Sequence, residues 1–106
     1  MPERLVRFRQ TFFDDLDSLL PDERGRDGRP SATDFLLYEL PRLRDQLAAD
    51  FETNTLAVAG AEPLRVLIEA GTLVRVVAVY ALLSSDDSVE VIGLDLDVSG
   101  SFTDDD

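Results

Sequence analysis

Apolar residues dominate the last part of the chain, from Leu64 to Asp97, in three runs that are rich in β-branched side chains. A Gly-Thr break at 71–72 separates the first run from the second, and a polar break at 84–87 separates the second from the third. Because β-branched residues favour strands and these breaks supply turn residues, the pattern predicts a three-stranded antiparallel meander. The middle run, 73–83, is apolar at nearly every position except Arg75, which predicts a central strand covered on both faces.

The first half of the chain alternates short apolar and polar segments that predict one strand and two helices. Residues 4–9 predict an opening strand with Arg7 and Arg9 on one face and Val6 and Phe8 on the other, and the charged face favours an edge position. Residues 12–20 have the apolar stripe of a short amphipathic helix, with Thr11 as the expected N-cap and Pro21 as its end. A second helix is predicted from apolar residues at the spacing of one helix face, namely Leu36, Leu40, Leu43, Leu47 and Phe51.

Pro41 lies inside this second helix, for which Ser31 or Thr33 is the expected N-cap. Proline has no N–H for the helical hydrogen bond to Leu37, so we expect a kink, or two abutting helices, near Leu40.

The resulting order is strand, helix, kinked helix and meander, which predicts the α+β class with helices on one face of a curved sheet. We expect a single domain at 1–98 and an acidic, flexible tail at 99–106. The charged segment 21–30 predicts a surface loop, and 53–62 fits either a short strand or a packed loop.

Composition removes several kinds of chemistry. The 106 residues include no cysteine and no histidine, which excludes disulfides, thiol catalysis and histidine-based metal or acid–base sites. The sequence has no nucleotide-binding or zinc-binding motif, so we expect no cofactor and no metal. No apolar run is long enough to span a bilayer and no signal peptide is evident, which predicts a cytoplasmic protein without a membrane partner.

The chain is strongly acidic, with a net charge of −12 and arginine as its only basic residue. Residues 1–50 contain eight arginines and eleven acidic residues, whereas 51–106 contain two and eleven. This charge disfavours a large nucleic-acid footprint, because it repels phosphate groups. It indicates either adaptation to solubility in a salt-rich habitat or an acidic surface that docks a basic partner.

Two segments carry a resemblance to a known family. LVRFRQTFFDDLDSLL, at 5–20, resembles the first strand and helix of the RelE/ParE superfamily of bacterial toxins, and PLRVLIEAGTLVRVVAVYALLSSDDSVEVIGLDLD, at 63–97, resembles its closing meander. The resemblance implies that Arg65 is the basic residue of the second strand. It also implies that Arg75 is the arginine that stabilises the scissile phosphate in ribonuclease members, while Tyr80 matches the family's tyrosine loosely. An antitoxin or a target complex would then be the protein partner.

The sequence departs from the ribonuclease members at the end of its last strand. Asp95 and Asp97 stand where those members have cations, and two negative charges there repel the phosphate. We therefore expect a toxin-like protein that acts mainly through protein–protein interaction, with weak or lost nuclease chemistry. The alternatives are an active ribosome-dependent mRNA interferase that uses Arg65 and Arg75, and an acidic immunity or structural protein that shares only the fold.

The candidate strand residues also have purely structural interpretations. Asp95 and Asp97 share one face of a strand, as a carboxylate pair for metal or acid–base chemistry or as a solvated strand face, and Gly93 suggests a bulge beside them. Arg65 and Arg75 either contact an anion or hold the sheet register by pairing with acidic residues of neighbouring strands, namely Glu69, Glu90 or Asp95.

The N-terminal arginines Arg4, Arg7 and Arg9 form either a basic stripe for a phosphate or an acidic partner, or a solvated edge that discourages aggregation. Together with Asp95 and Asp97 they are the predicted interaction surface.

Overall fold

The structure is a computed structural model that describes residues 3–23 and 30–97. The predicted tail at 99–106 and the centre of the predicted loop, at 24–29, lie outside these ranges. Within them, four helices and five strands form one α+β domain, which confirms the predicted class. Their order is β1 (Val6–Phe8), α1 (Gln10–Leu19), α2 (Ala32–Tyr38), α3 (Leu40–Ala49), α4 (Phe51–Asn54), β2 (Leu56–Ala57), β3 (Arg65–Ala70), β4 (Val76–Leu83) and β5 (Val89–Asp97).

The sheet is five-stranded and mixed, in the order β1-β5-β4-β3-β2. β3, β4 and β5 pair antiparallel in chain order, but β2 adds to β3 and β1 pairs parallel with β5. The predicted layout, which ended in a meander of three strands alone, is therefore incomplete. β2 has only two residues, too few to show a period, and the β1–β5 pairing joins distant segments whose local sequence does not encode it.

The second predicted helix is divided near Leu40 into two abutting helices, α2 and α3, which is one of the two expected outcomes, and its last apolar residue, Phe51, belongs to a third helix, α4. Glu39 ends α2 and precedes α3, where Pro41 occupies the first turn. Proline is favourable there, because the N–H that it lacks would have no helical partner. Phe51 begins α4, and Asp50 caps that helix by accepting a hydrogen bond from the Thr53 N–H at 3.4 Å.

One of the two expected N-caps is present. Ser31 caps α2 in a capping box: its hydroxyl accepts from the Asp34 N–H at 3.0 Å, and the Asp34 carboxylate accepts from the Ser31 N–H at 2.9 Å. Thr11 is not a cap, since α1 begins at Gln10, two residues before the predicted start, and Arg9 is at the N-cap position.

Arg9 and two polar side chains of α1 complete the free edge of β5 where β1 ends. Arg9 donates its backbone N–H to the Val91 carbonyl at 2.9 Å, and the Thr11 hydroxyl donates to the Ile92 carbonyl at 2.6 Å. Asp15 accepts from the Leu94 N–H at 3.0 Å. Ile92 is an extra residue in the ladder, because Tyr80 pairs with Gly93 and Ala81 pairs with Val91. This is the bulge predicted from Gly93.

The hydrophobic core lies between the helices and one face of the sheet. Its largest fully buried side chains come from both layers and are Phe12, Leu16, Phe35, Leu43, Leu47 and Phe51 on the helices and Leu67, Val77, Val79, Val89 and Val91 on the strands.

The opposite face of the sheet is not covered by these helices. Along β4 the residues that alternate with the core, from Val76 to Leu82, are only half-buried. Ile68 on β3 is 53% exposed. The expectation that the middle strand is covered on both faces is therefore wrong for the described residues.

Candidate functional site

Arg65, the first candidate phosphate ligand, is part of the framework. It is the first residue of β3, and its guanidinium donates to the Thr55 hydroxyl at 2.7 Å, to the Thr55 carbonyl at 2.9 Å and to the Glu52 carbonyl at 3.1 Å. These acceptors lie at the end of α4, where helical carbonyls have no partner within the helix. Arg65 thus joins α4 to the sheet.

Arg75, the second candidate, lies outside the strand in which it was predicted. It precedes β4 in the turn after β3, it is exposed, and its guanidinium forms no hydrogen bond or ion pair with the residues at 3–23 and 30–97. Arg65 and Arg75 mark opposite ends of the β3–β4 hairpin, because Arg65 pairs with Ala81 and Val76 pairs with Ala70. At about 3.4 Å per strand residue the two ends are about 17 Å apart. One phosphate cannot contact both arginines.

The acidic residues proposed as partners of Arg65 and Arg75 do not pair with them. Glu90 pairs with Arg9 at 3.0 Å and with Arg7 at 3.7 Å, and Glu69 pairs with Arg42 at 3.7 Å. The predicted cross-strand pairs of Arg65 and Arg75 are therefore absent from the described part of the chain.

The three N-terminal arginines form ion pairs instead of a free basic stripe. Arg4 pairs with Glu52 at 2.9 Å and with Asp87 at 3.4 Å, while Arg7 pairs with Asp86 at 3.1 Å. The hydrogen bond between Arg4 and Glu52 raises the pKa of Arg4 and lowers the pKa of Glu52. These side chains tie β1 to α4 and to the β4–β5 turn, and their positive charge is largely compensated.

Asp86 organises the β4–β5 turn. Its carboxylate accepts from the hydroxyls of Ser84 and Ser88, the latter at 2.6 Å, from the Ser88 N–H at 3.1 Å and from Arg7 at 3.1 Å. The hydrogen bonds from Ser84 and Ser88, followed by that from Arg7, lower the pKa of Asp86 well below its usual range.

The Asp86 network predicts a pH-dependent contribution to stability. Because the pKa is lower in the folded state, the carboxylate stabilises the fold above the unfolded pKa, about 3.9, and this stabilisation disappears as the pH falls through the folded pKa. Urea denaturation should therefore show a gap in midpoint between wild type and Asp86→Asn that is largest near neutral pH and shrinks below about pH 4. A gap that stays constant down to about pH 2 would contradict the network.

Asp95 and Asp97 lie at the end of β5, in the ladder with Ala78 and Val76. Asp95 is exposed and accepts a hydrogen bond from the Leu96 N–H at 2.9 Å. Within 3–23 and 30–97 no three histidine, cysteine, aspartate or glutamate side chains converge as a metal site would require. The arrangement fits a solvated strand face and gives no support to metal chemistry.

A cavity of about 230 Å³ lies beside Arg65 at the β2 end of the sheet. Phe51, Ala57, Leu64 and Leu83 make its lining mainly apolar, and the acidic residues there are Glu52 and Glu62. Two carboxylates beside one arginine that already has three acceptors make this cavity unsuitable for a phosphate.

A further candidate surface is the sheet face turned away from the helices. We call it the open face and define it by six apolar residues of β2, β3 and β4: Leu56, Ile68, Val76, Ala78, Tyr80 and Leu82. Cross-strand pairing places Ile68, Ala78 and Asp95 in one row across the sheet. The open face is therefore apolar on β3 and β4 and acidic on β5. Contiguous exposed apolar surface of this kind commonly marks a site of protein–protein contact.

Glu39 is a structurally important residue that the sequence pattern alone did not single out. Its side chain is fully buried (0% exposed), and its carboxylate accepts from the Thr72 and Leu73 N–H groups, both at 2.7 Å, and from Arg42 at 2.8 Å. A detectable signal existed, because Glu39 stands four residues from both Phe35 and Leu43 on the core-facing side of the helices. A charge in that position predicts a buried, hydrogen-bonded anchor.

Comparisons with known proteins add no assignment: no protein-family model, curated protein or solved structure matches the chain. Among the described residues, no helix combines the length and the apolar character needed to cross a membrane.

Proposed function

We propose that this protein is a toxin-like domain of the RelE/ParE type that acts by binding another protein, and that it has no effective nuclease centre. The observation that carries the proposal is the open face, an apolar sheet surface that the helices at 3–23 and 30–97 leave uncovered. Interfaces combine such an apolar centre with a polar rim, and here Asp95 and Glu90 contribute charge on β5.

The positions of the arginines support the binding function over RNA cleavage. A ribonuclease stabilises the extra negative charge of its transition state with cations that converge on one phosphate. Arg65 is committed to α4, and Arg75 lies at the other end of the hairpin. The net charge of −12 further disfavours RNA binding.

The growth of a bacterial host in which the protein is induced tests this proposal with two substitutions. We expect wild type and Arg75→Ala to slow growth equally, because Arg75 has no catalytic role. We expect Ile68→Asp to relieve the effect, because a charge in the middle of the open face would remain desolvated in any complex. Leu37→Asp, on the helical side with a similar exposed fraction (60% against 53% for Ile68), is the matched control and should behave as wild type.

Two results would decide against the proposal. Relief of growth arrest by Arg75→Ala would favour an mRNA interferase. Normal growth with every variant would remove the toxin-like part of the proposal and favour the immunity or structural alternative.

A further inference from the structure

We infer that the occupant of the open face is a cationic amphipathic helix of a partner protein, lying along β4 with its apolar side on Ile68 and Ala78 and a basic side chain against Asp95. This inference rests on the proposed function, since it names the partner class for the same surface. Its basis is the distribution of charge and apolar area across one row of the sheet.

The width of the row matches a single helix. Ile68 and Asp95 lie on β3 and β5, the two neighbours of β4. With strands about 4.8 Å apart, they are separated by about 10 Å. An α-helix with its side chains is about 10–12 Å wide. One helix above β4 can therefore cover the apolar residues and reach the carboxylate at the same time.

The side chains along β4 favour a smooth docking surface over a deep pocket. Val76, Ala78 and Leu82 are half-buried, and Ala78, in the centre of the row, has a small side chain that lets a helix approach closely. Gly93 has no side chain beside Tyr80, with which it pairs. A shallow cavity of about 110 Å³ lies between Val76, Ala78 and Asp95, at the boundary between apolar and acidic surface.

The negative charge of Asp95 favours a partner with a basic side chain at this contact. Asp95 is exposed, and no arginine of 3–23 or 30–97 forms an ion pair with it. By contrast, Glu90 on the same strand is already paired with Arg7 and Arg9. A carboxylate beside an apolar contact surface is stabilised by a partner's lysine or arginine, and like charge there is costly.

The same charge disfavours two other occupants. A second copy of this chain has a net charge of −12 and would place its own Asp95 near the first in many face-to-face arrangements. The sequence after β5 ends in three aspartates, Asp104–Asp106, and a ligand of that charge is disfavoured beside the carboxylate at 95.

Binding of defined synthetic peptides to the full chain tests the inference. The first peptide is an amphipathic helix with leucine and alanine on one side and lysine along one flank, and the second has glutamate at every lysine position. A third has the composition of the first in an order without amphipathic character. Fluorescence anisotropy at physiological salt gives the dissociation constants, and circular dichroism verifies that each protein variant is folded.

We expect the lysine peptide to bind at least about tenfold more tightly than the other two. Asp95→Asn should weaken it about two- to fivefold, as expected for an exposed ion pair. Ile68→Asp should weaken it more than tenfold, whereas Leu37→Asp should leave it unchanged. If Ile68→Asp does not fold, Ile68→Ser serves the same purpose with a smaller expected loss.

Several results would overturn the inference, and they can be told apart from failure of the proposed function. Equal loss with Leu37→Asp, or no loss with Ile68→Asp, would place cationic binding away from the open face. Tighter binding of the glutamate peptide, sensitive to Ile68→Asp, would refute a cationic partner while leaving protein binding by the open face intact. Sedimentation of the protein alone covers the remaining case, since a dimer that Ile68→Asp abolishes would identify a second copy as the occupant.

Discussion

Replacing Glu39 with alanine is expected to lower the free energy of unfolding by about 2–4 kcal/mol, because two backbone N–H groups and the half-buried Arg42 lose a fully buried carboxylate acceptor. The carboxylate is the only side-chain acceptor that the described residues offer to the N–H groups of Thr72 and Leu73, and it also neutralises Arg42. Without it, the two backbone donors lose their side-chain acceptor, and Arg42 keeps only the weaker contacts with the Ala70 carbonyl at 3.4 Å and with Glu69 at 3.7 Å.

Glu39→Gln separates charge from shape at this position. Glutamine keeps the size of the side chain and one carbonyl oxygen, but its amide N–H₂ group puts a donor where the carboxylate has an acceptor. Because the surrounding groups are N–H donors, we expect a loss of about 2 kcal/mol in the free energy of unfolding. Arg42→Ala should cost less than Glu39→Ala, because the carboxylate would retain two backbone donors. Urea denaturation gives all three values.

A surface substitution provides the control for Glu39. Asp45→Asn removes an exposed ion pair with Arg44, at 2.6 Å, and should change stability by no more than about 0.5 kcal/mol. A loss below about 1 kcal/mol for Glu39→Ala would mean that the turn between β3 and β4 does not depend on this anchor.

Leu67→Ala and Ile68→Ala are expected to differ strongly, although the two residues are neighbours on β3. Leu67 is fully buried (0% exposed) against the helices, and Ile68 is 53% exposed on the open face. Truncation at Leu67 leaves a cavity and should cost about 2–5 kcal/mol, whereas truncation at Ile68 should cost less than about 1 kcal/mol.

This pair of substitutions measures whether the sheet has one covered face or two. Equal losses at the two positions would mean that the open face is covered in solution by something that packs as closely as the helices do. The comparison uses the same strand and side chains of the same volume, so size contributes little to the difference, and the higher β propensity of isoleucine acts against the expected order.

The sequence pattern predicted the longer elements well, for local physical reasons. α1 is long enough to show a period of 3.6, the strands of the meander are apolar runs bounded by turn residues, and Gly93 marked the bulge in β5. Pro41 correctly indicated an interruption near Leu40. The local pattern did not separate a kink from two helices, nor did it show that Glu39, between α2 and α3, binds the β3–β4 turn more than thirty positions further along the chain.

The features that could not be predicted depend on contacts between distant segments. β1 pairs with β5 across about eighty positions, and the two-residue β2 has no pattern of its own. An apolar strand such as β4 looks the same in sequence whether its second face meets a helix layer or remains open. The apolar pattern that predicted a strand covered on both faces is therefore equally compatible with a strand that has one open, partner-binding face.

The candidate site shows the same limit. Sequence spacing placed Arg65 and Arg75 on adjacent strands, which is compatible with a shared phosphate site, but antiparallel pairing puts them at opposite ends of the hairpin. The carboxylates at 95 and 97 were correctly placed on the terminal strand. Their position beside an apolar face, which gives them a function in the present proposal, follows from the register of β4 and β5.

The most direct test of a protein-binding open face is site-specific photo-crosslinking in the bacterial host. A photoreactive phenylalanine analogue replaces Ile68 in one variant and Leu37 in the other, two positions of similar exposure, one on β3 and one on α2. The account predicts a discrete protein adduct from position 68 and none from position 37. Adducts to RNA from position 68, or protein adducts from position 37 alone, would contradict it.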